Sequence, residues 1–287
     1  MLFYHANCWD GAASAWVFSQ YFGFDKVEYI PCTHGVLPYQ IDEVNNRHVF
    51  IVDFAFNEEV TIKLRQSAKQ FILLDHHITA MQTIGHMDDC HFDMNHSGSM
   101  LMFNFLNETR CKGELLPPTA LRYFEALDLY RSDEYNIDNF GSYLRQFDTP
   151  SIENVDKIMN SFDEAEIFRI GAQNKLVIDS IVDNAVKDSF ILKINNQYVQ
   201  CAFSPKKLMH EVAMACSVKD RHNHIGGACS ISGDHVVISF RMKDTSLGND
   251  TLAVSQFLGG GGHKYASGAR ITFAEFCRMY YERVFVK

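Results

Sequence analysis

The stretch LLDHHITA, residues 73–80, ends an apolar run in Asp75 and two adjacent histidines, His76 and His77, and its reading decides the fold. Two earlier runs behave in the same way: LFY at 2–4 leads into His5, and VFIV at 49–52 leads into Asp53. Helical-looking stretches separate them, AASAWVFSQYFG after the first and EEVTIKLRQSAK after the second. Short apolar runs bounded by polar segments are what strands buried on both faces look like. The alternation predicts an α/β layer with a parallel sheet. In such sheets ligands bind outside the carboxyl ends of the strands, and each run delivers its His or Asp at that end.

Composition bounds the rest. The chain has 287 residues, 47% of them hydrophobic, and domains of ~100 to 150 residues are usual, so two compact domains are expected. The longest apolar stretches fall far short of the ~20 residues of a spanning helix, and MLFYHANC has no basic region before an apolar segment. A soluble, untargeted protein with no membrane partner is the expectation. Cysteines stand singly at 8, 32, 90, 111, 201, 216, 229 and 277, with no CxxC pair. That argues against a disulfide framework or a zinc ribbon and fits a reducing cytoplasm. The formal charge of −9 excludes a long non-specific nucleic-acid track, which needs clustered Lys and Arg. A small phosphorylated ligand held by metal ions stays compatible with it.

Residues 98 to about 162 read mainly as helices, with Pro117 and Pro118 marking a helix start. The stretch 163–188 carries apolar residues at helical spacing without proline and reads as a long connecting helix. Strand-like FILKI, YVQCAF, ACSIS and HVVISFR follow, the last two separated by a Gly-Asp turn, and then LGGGGHKYASGAR. The expected organisation is a first domain over 1–162, the connecting helix over 163–188, and a second, smaller α/β domain over 189–287.

His5, Asp10, Asp53, Asp75 and His76 are expected to meet at one sheet edge. Such an oxygen- and nitrogen-rich set suits Mn, Mg, Fe or Co better than a thiolate-rich zinc site does. A carboxylate shared by two ions lets one activate water while the other stabilises a phosphoryl oxygen, so the implied reaction is phosphoester hydrolysis. Any one strand-end Asp or His more often caps a helix or satisfies a loop amide. Three after three similar strands argue against that plain account.

The chain resembles the DHH phosphoesterases, in the subgroup with a DHHA1 second domain. The resemblance rests on HANCWDG at 5–11, VDFAF at 52–56, LDHH at 74–77, DMNHSGS at 93–99 and GGGGHKYASGA at 259–269, and covers essentially the whole chain. It implies a parallel-sheet catalytic domain joined by a long helix to a DHHA1 domain, with a cleft between them. By position it implies metal ligation by His5, Asp10, Asp53 and His76, with Asp53 bridging, Asp75 in support and His77 facing the substrate phosphate. A further family Asp is matched by Asp128 in FEALDLYRSDE, with Glu125 one turn away; a solvated helix acid is an equal alternative there. The family commonly has Asp-x-Asp-Gly in its first motif, where this chain has Cys8-Trp9-Asp10-Gly11. Cys8 is thus either a packing residue or a softer ligand.

In the second domain the glycine run, with Gly260, Gly261 and Gly262, could expose consecutive amides as an anion nest, followed by His263 as a phosphate donor. Arg241, ending a predicted strand, would pair with phosphate or a nucleobase, or else make a surface salt bridge. Ser97 is expected either near substrate or as a helix cap. The implied activity is a manganese-dependent phosphodiesterase, with two Mn²⁺ and with Mg²⁺, Co²⁺ or Fe²⁺ as substitutes. Its implied substrates are short linear oligoribonucleotides, chiefly dinucleotides such as pGpG or pApA, cleaved to nucleoside monophosphates. A cyclic-dinucleotide phosphodiesterase and a 3′-phosphoadenosine phosphatase share that chemistry, and a nucleotide sensor with a weakened metal site is the non-enzymatic alternative. Oligomeric state, including a homodimer, stays open.

Overall fold

The structure is a computed structural model that describes residues 1–33, 40–133, 135–220, 224–242 and 250–282, the side chains at 41, 42, 263, 281 and 282 excepted. It divides into two compact units, Met1–Lys175 and Leu176–Lys287.

The first unit is built on five parallel strands in the order β2-β1-β3-β4-β5. They are β1 (Leu2–His5), β2 (Tyr29–Cys32), β3 (His48–Val52), β4 (Gln70–Asp75) and β5 (Cys90–Phe92). Alternate residues of the central strands feed two separate cores, which is why these runs are apolar throughout. Leu2, Phe50, Val52, Ile72 and Leu74 pack with α1 (Trp9–Phe22), α4 (Gly98–Cys111), α5 (Thr119–Asp128), α6 (Ile137–Leu144) and α7 (Ile152–Asn160). Phe3, Val49, Ile51, Phe71 and Leu73 form the other core, with Leu64 of α2 (Glu58–Ser67) and Ile84 of α3 (Ile78–Ile84). Strand order reverses between β1 and β3, so α1 leaves the sheet on one face and α2 on the other. The carboxyl ends of these two strands therefore border a crevice, the usual place for a ligand in such sheets.

Helix α8 (Glu164–Lys187) is continuous across the division at residues 175 and 176. The second unit holds a six-stranded sheet in the order β10-β11-β9-β8-β7-β6, in which only β7 and β8 run parallel. Its strands are β6 (Phe190–Ile194), β7 (Gln197–Phe203), β8 (Ile225–Ser232), β9 (His235–Met242), β10 (Gly261–His263) and β11 (Ala266–Thr272). One face packs on α9 (Met209–Lys219) and on Val182 of α8. The other buries Val254 of α10 (Thr251–Phe257) and Phe276 of α11 (Phe273–Glu282). Among the described residues no helix is long and apolar enough to cross a membrane.

Candidate metal centre

His5 closes β1, Asp53 follows β3, and Asp75 closes β4 with His76 next, so neighbouring parallel strands bring these groups to one edge. Asp53 adopts a left-handed backbone, φ 63°. That conformation is uncommon outside glycine, is tolerated best by Asn and Asp, and clusters at functional sites. It turns the chain sharply at the strand end, and the Asp53 amide donates to Leu74 O of β4 at 3.1 Å.

The Asp53 carboxylate meets a different imidazole on each side. Oδ2 lies 3.4 Å from His5 Nδ1, and Oδ1 lies 3.2 Å from His76 Nε2. Asp128, the last residue of α5, places Oδ2 3.3 Å from the same His76 nitrogen. Asp10, in the first turn of α1, completes the group. Three overlapping sets of donor atoms lie within 4.8 Å of one another: His5, Cys8 and Asp53; Asp10, Asp53, His76 and Asp128; Asp53, Asp75, His76 and His77. Asp53 belongs to all three.

Asp10 is held from below by α4. Ser97 Oγ and Ser99 Oγ donate to its Oδ1 at 2.7 and 2.5 Å, and the Ser99 amide donates to Oδ2 at 2.9 Å. Ser97 also caps α4 by accepting from the Met100 amide. Its side chain is fully buried, at the start of α4 and against Asp10. Asp75 is fully buried too, and its Oδ1 accepts from the His76 amide at 2.8 Å and from His77 Nδ1 at 2.7 Å. The ring of His77, 40% exposed, is thereby fixed with its other nitrogen directed away from Asp75.

The electrostatics are those of a crowded anionic site. Burial pushes the Asp10 carboxyl well up, as do the charges of Asp53 and Asp128, and Ser99 and Ser97 offset this only in part. Burial and Asp53 raise Asp128 to about 6. Burial also works to raise Asp53, but the imidazoles of His5 and His76 outweigh it and hold the group below the usual carboxylate range. Burial opposes charge on His76, yet the hydrogen bond to Asp53 and the charges of Asp128, Asp53 and Asp10 hold it up at about 9. Oδ2 of Asp75 is buried and accepts no hydrogen bond among the described residues, and the buried Oδ2 atoms of Asp53 and Asp128 have only a long imidazole contact each, at 3.4 and 3.3 Å. Buried carboxylate oxygens so weakly satisfied are costly. Divalent cations are the partners this donor set fits, and hard oxygen and imidazole ligands suit Mn²⁺ or Mg²⁺.

Cys8 occupies the N-cap position of α1 without a side-chain cap bond. Burial and the charges of Asp53, Asp10 and Asp128 push its thiol well up. Without an ion it is a neutral thiol beside the centre. Glu125, the acid one turn before Asp128, stands apart from the donor sets: it accepts from His96 Nδ1 at 2.7 Å and lies 3.6 Å from Arg131 Nη1. The His96–Glu125–Arg131 chain was not foreseen. Of its members the sequence drew notice only to Glu125, because the three meet through the fold.

In the second unit the first two glycines of the run close a helix. The Gly259 amide donates to Gln256 O at 3.0 Å and the Gly260 amide to Ser255 O at 2.8 Å, closing the end of α10. A Cβ on Gly260 would meet Gly268 O at 2.1 Å, so this glycine is needed for close packing on β11. The Gly260 amide thus serves the helix end. Gly261 and Gly262 belong to β10 and pair with Gly268 and Ser267. Pairing of His263 with Ala266, and of Ala266 with Arg241, sets His263 and Arg241 in one row of the sheet. The side chain of His263 lies outside the described residues. Arg241 donates to His210 Nδ1 at 3.1 Å and to Phe240 O at 2.8 Å.

No protein-family model matches the chain. An uncharacterized protein of Acanthamoeba polyphaga mimivirus is 32% identical over 93 residues, 28% of this chain and 22% of that protein. The chain thus spans under a quarter of that relative. Among solved structures it is similar to the DHH domain of a member of a family of ribosomal proteins, with a TM-score of 0.59 at 12% identity over 99% of this chain and 86% of that one. It is similar to exonuclease RecJ bound to manganese, with a TM-score of 0.56 at 13% identity over 99% and 89%. An exopolyphosphatase-related protein from Bacteroides fragilis gives 0.54 at 16% identity over 99% and 90%. At these identities the likeness is one of fold.

Proposed function

We propose, from a chain that has the fold of the DHH-domain proteins, that this protein is a metal-dependent phosphodiesterase cleaving short linear oligoribonucleotides, chiefly dinucleotides such as pGpG or pApA, to nucleoside monophosphates. The observation that carries the reading is Asp53, one carboxylate set between the His5 and His76 imidazoles and shared by every donor set at the edge. His5, Asp10, Asp53, His76 and Asp128 would hold divalent ions, manganese first among them. Such ions supply Lewis acidity and an activated water.

The chain's own groups do the rest. Ser97 and Ser99 keep Asp10 oriented, and Asp75 holds His77 so that its outer nitrogen can donate to a phosphoryl oxygen as charge develops there. In the second unit Arg241, in one row with His263, is proposed to bind a phosphate or a nucleobase. The net charge of −9 favours a short substrate over a long strand. One observation favours a second reading, a nucleotide sensor: Cys8, a neutral thiol where a carboxylate would strengthen the centre.

Purified protein incubated with pGpG or pApA and Mn²⁺ tests the proposal, with products resolved by chromatography. Mononucleotide release that is abolished by Asp53→Ala and His76→Ala supports the enzyme. Saturable binding with no turnover under Mn²⁺, Mg²⁺, Co²⁺ or Fe²⁺ would replace it with the sensor.

A further inference from the structure

At the amino-terminal edge of the first sheet, where His48 opens β3 and Gln70 opens β4, a groove of about 600 Å³ lies open to solvent. That volume is in the range of small-ligand sites. None of the candidate metal ligands lines it, and the length of β3, at ~3.3 Å per residue, separates its rim from Asp53 by roughly 17 Å.

The floor is aromatic, with Phe22, Phe50 and Phe105 among its lining. Phe22 stacks on Phe18 with ring centroids 4.4 Å apart, and Phe22 and Phe105 keep part of their surface accessible. The rim carries Lys26, Arg47 and Arg110. Arg47 is paired to Glu28 at 2.7 Å, whereas Lys26 and Arg110 pair with no carboxylate among the described residues. The Arg110 guanidinium lies 5.2 Å over the Phe22 ring. In a chain of net charge −9 this is a local reversal of sign around an apolar, aromatic surface. At the far end His48 Nδ1 and Gln70 Oε1 are hydrogen-bonded to each other at 2.8 Å, which leaves the remaining nitrogen of each side chain for the edge of a planar ligand.

The geometry points to a second nucleotide site in this groove, binding a nucleoside monophosphate with its base against the accessible Phe105 side of the floor and its phosphate between Lys26 and Arg110. Stacked aromatic surface with guanidinium and ammonium groups at its rim is chemistry suited to a planar anion. The choice of a nucleoside monophosphate rests on the proposed function; the selection of a planar anion does not.

Isothermal titration of the full chain with GMP in EDTA tests the site without metal. The expected result is saturable binding that persists in Asp53→Ala and weakens about tenfold or more in the Lys26→Glu/Arg110→Glu double variant, as loss of charge-assisted contacts predicts. Thr109→Trp, at an exposed helix position lining the groove, should block binding without altering charge. Absence of saturable binding overturns the site. So does binding lost in Asp53→Ala but kept in the charge-reversed variant, or equal affinity for inorganic phosphate or decanoate. Because the titration excludes metal and reads binding alone, a failure of the proposed hydrolysis leaves its outcome unaffected.

Discussion

Gly98 stands against Asp53 so closely that a Cβ at position 98 would lie 2.5 Å from Asp53 Cβ and 3.1 Å from Asp10 Oδ2. The first turn of α4 thus forms the wall that sets the shared carboxylate. Gly98→Ala must push Asp53 away. Overpacking of this kind costs about 1–3 kcal/mol, and a displacement near 1 Å at a reacting centre costs about 100-fold in rate. A lowered melting temperature with a loss of bound Mn²⁺ is expected. Full metal occupancy and unchanged turnover in Gly98→Ala would show that α4 does not position the site.

Ser99 would act on a bound metal only through Asp10. Ser99→Ala removes the 2.5 Å hydrogen bond to Oδ1 and leaves the amide contact to Oδ2. Groups that orient a ligand in this way are worth about 10–100-fold in metal affinity. Mn²⁺ titration followed by electron paramagnetic resonance should show that loss, with partial recovery in Ser99→Thr.

The protonation of the metal-free site predicts its pH dependence. His76 rises from 6.5 to about 9 and Asp128 from 3.8 to about 6 on folding. Both groups bind protons more tightly in the folded chain, so stability falls as pH rises. The His76 contribution is fully present below about 6.5 and is lost as pH climbs through about 9. Melting temperatures in EDTA should decline across that window. A metal held by His76 would have to displace its proton, so Mn²⁺ affinity should rise over the same range and binding should release protons. Titration in buffers of different ionisation enthalpy reads the release directly, and an observed heat that does not vary with buffer would contradict the assignment of His76 as a ligand.

His76 and His77 are adjacent but should fail differently. His76→Ala should lose metal. His77→Asn should keep it and turn over about 100- to 1,000-fold more slowly, the usual cost of losing one donor to a developing oxyanion. Metal content measured beside turnover separates the two, and equal metal loss in both variants would merge their roles.

Cys8→Asp supplies a carboxylate beside His5 and Asp53. If the thiol leaves the centre short of a ligand, the variant gains metal affinity and shifts preference toward harder ions. Metal analysis showing the same content and preference in both proteins would remove Cys8 from the site.

Much of this architecture was legible because β1, β3 and β4 are buried on both faces and read as unbroken apolar runs. Strand β2 was not legible: it is an edge strand of four residues interrupted by Pro31, a residue that edge strands accommodate and sequence patterns read as a break. Strand β5 has only three residues. Asp53 and His76 stood out at strand ends, whereas Ser99 reaches Asp10 across 89 positions through helix packing that leaves no local pattern. The His96–Glu125 pair is likewise made by α5 docking near the start of α4.

The closure of α10 by the Gly259 and Gly260 amides bears on how such chains are compared. Half of a run that looks like ligand chemistry is architectural, fixed by a helix end and by the backbone of β11. Loss of every carboxylate at the first sheet edge would leave the packing need for Gly260 unchanged. That glycine thus reports on the fold, and activity is better judged from the surroundings of Asp53.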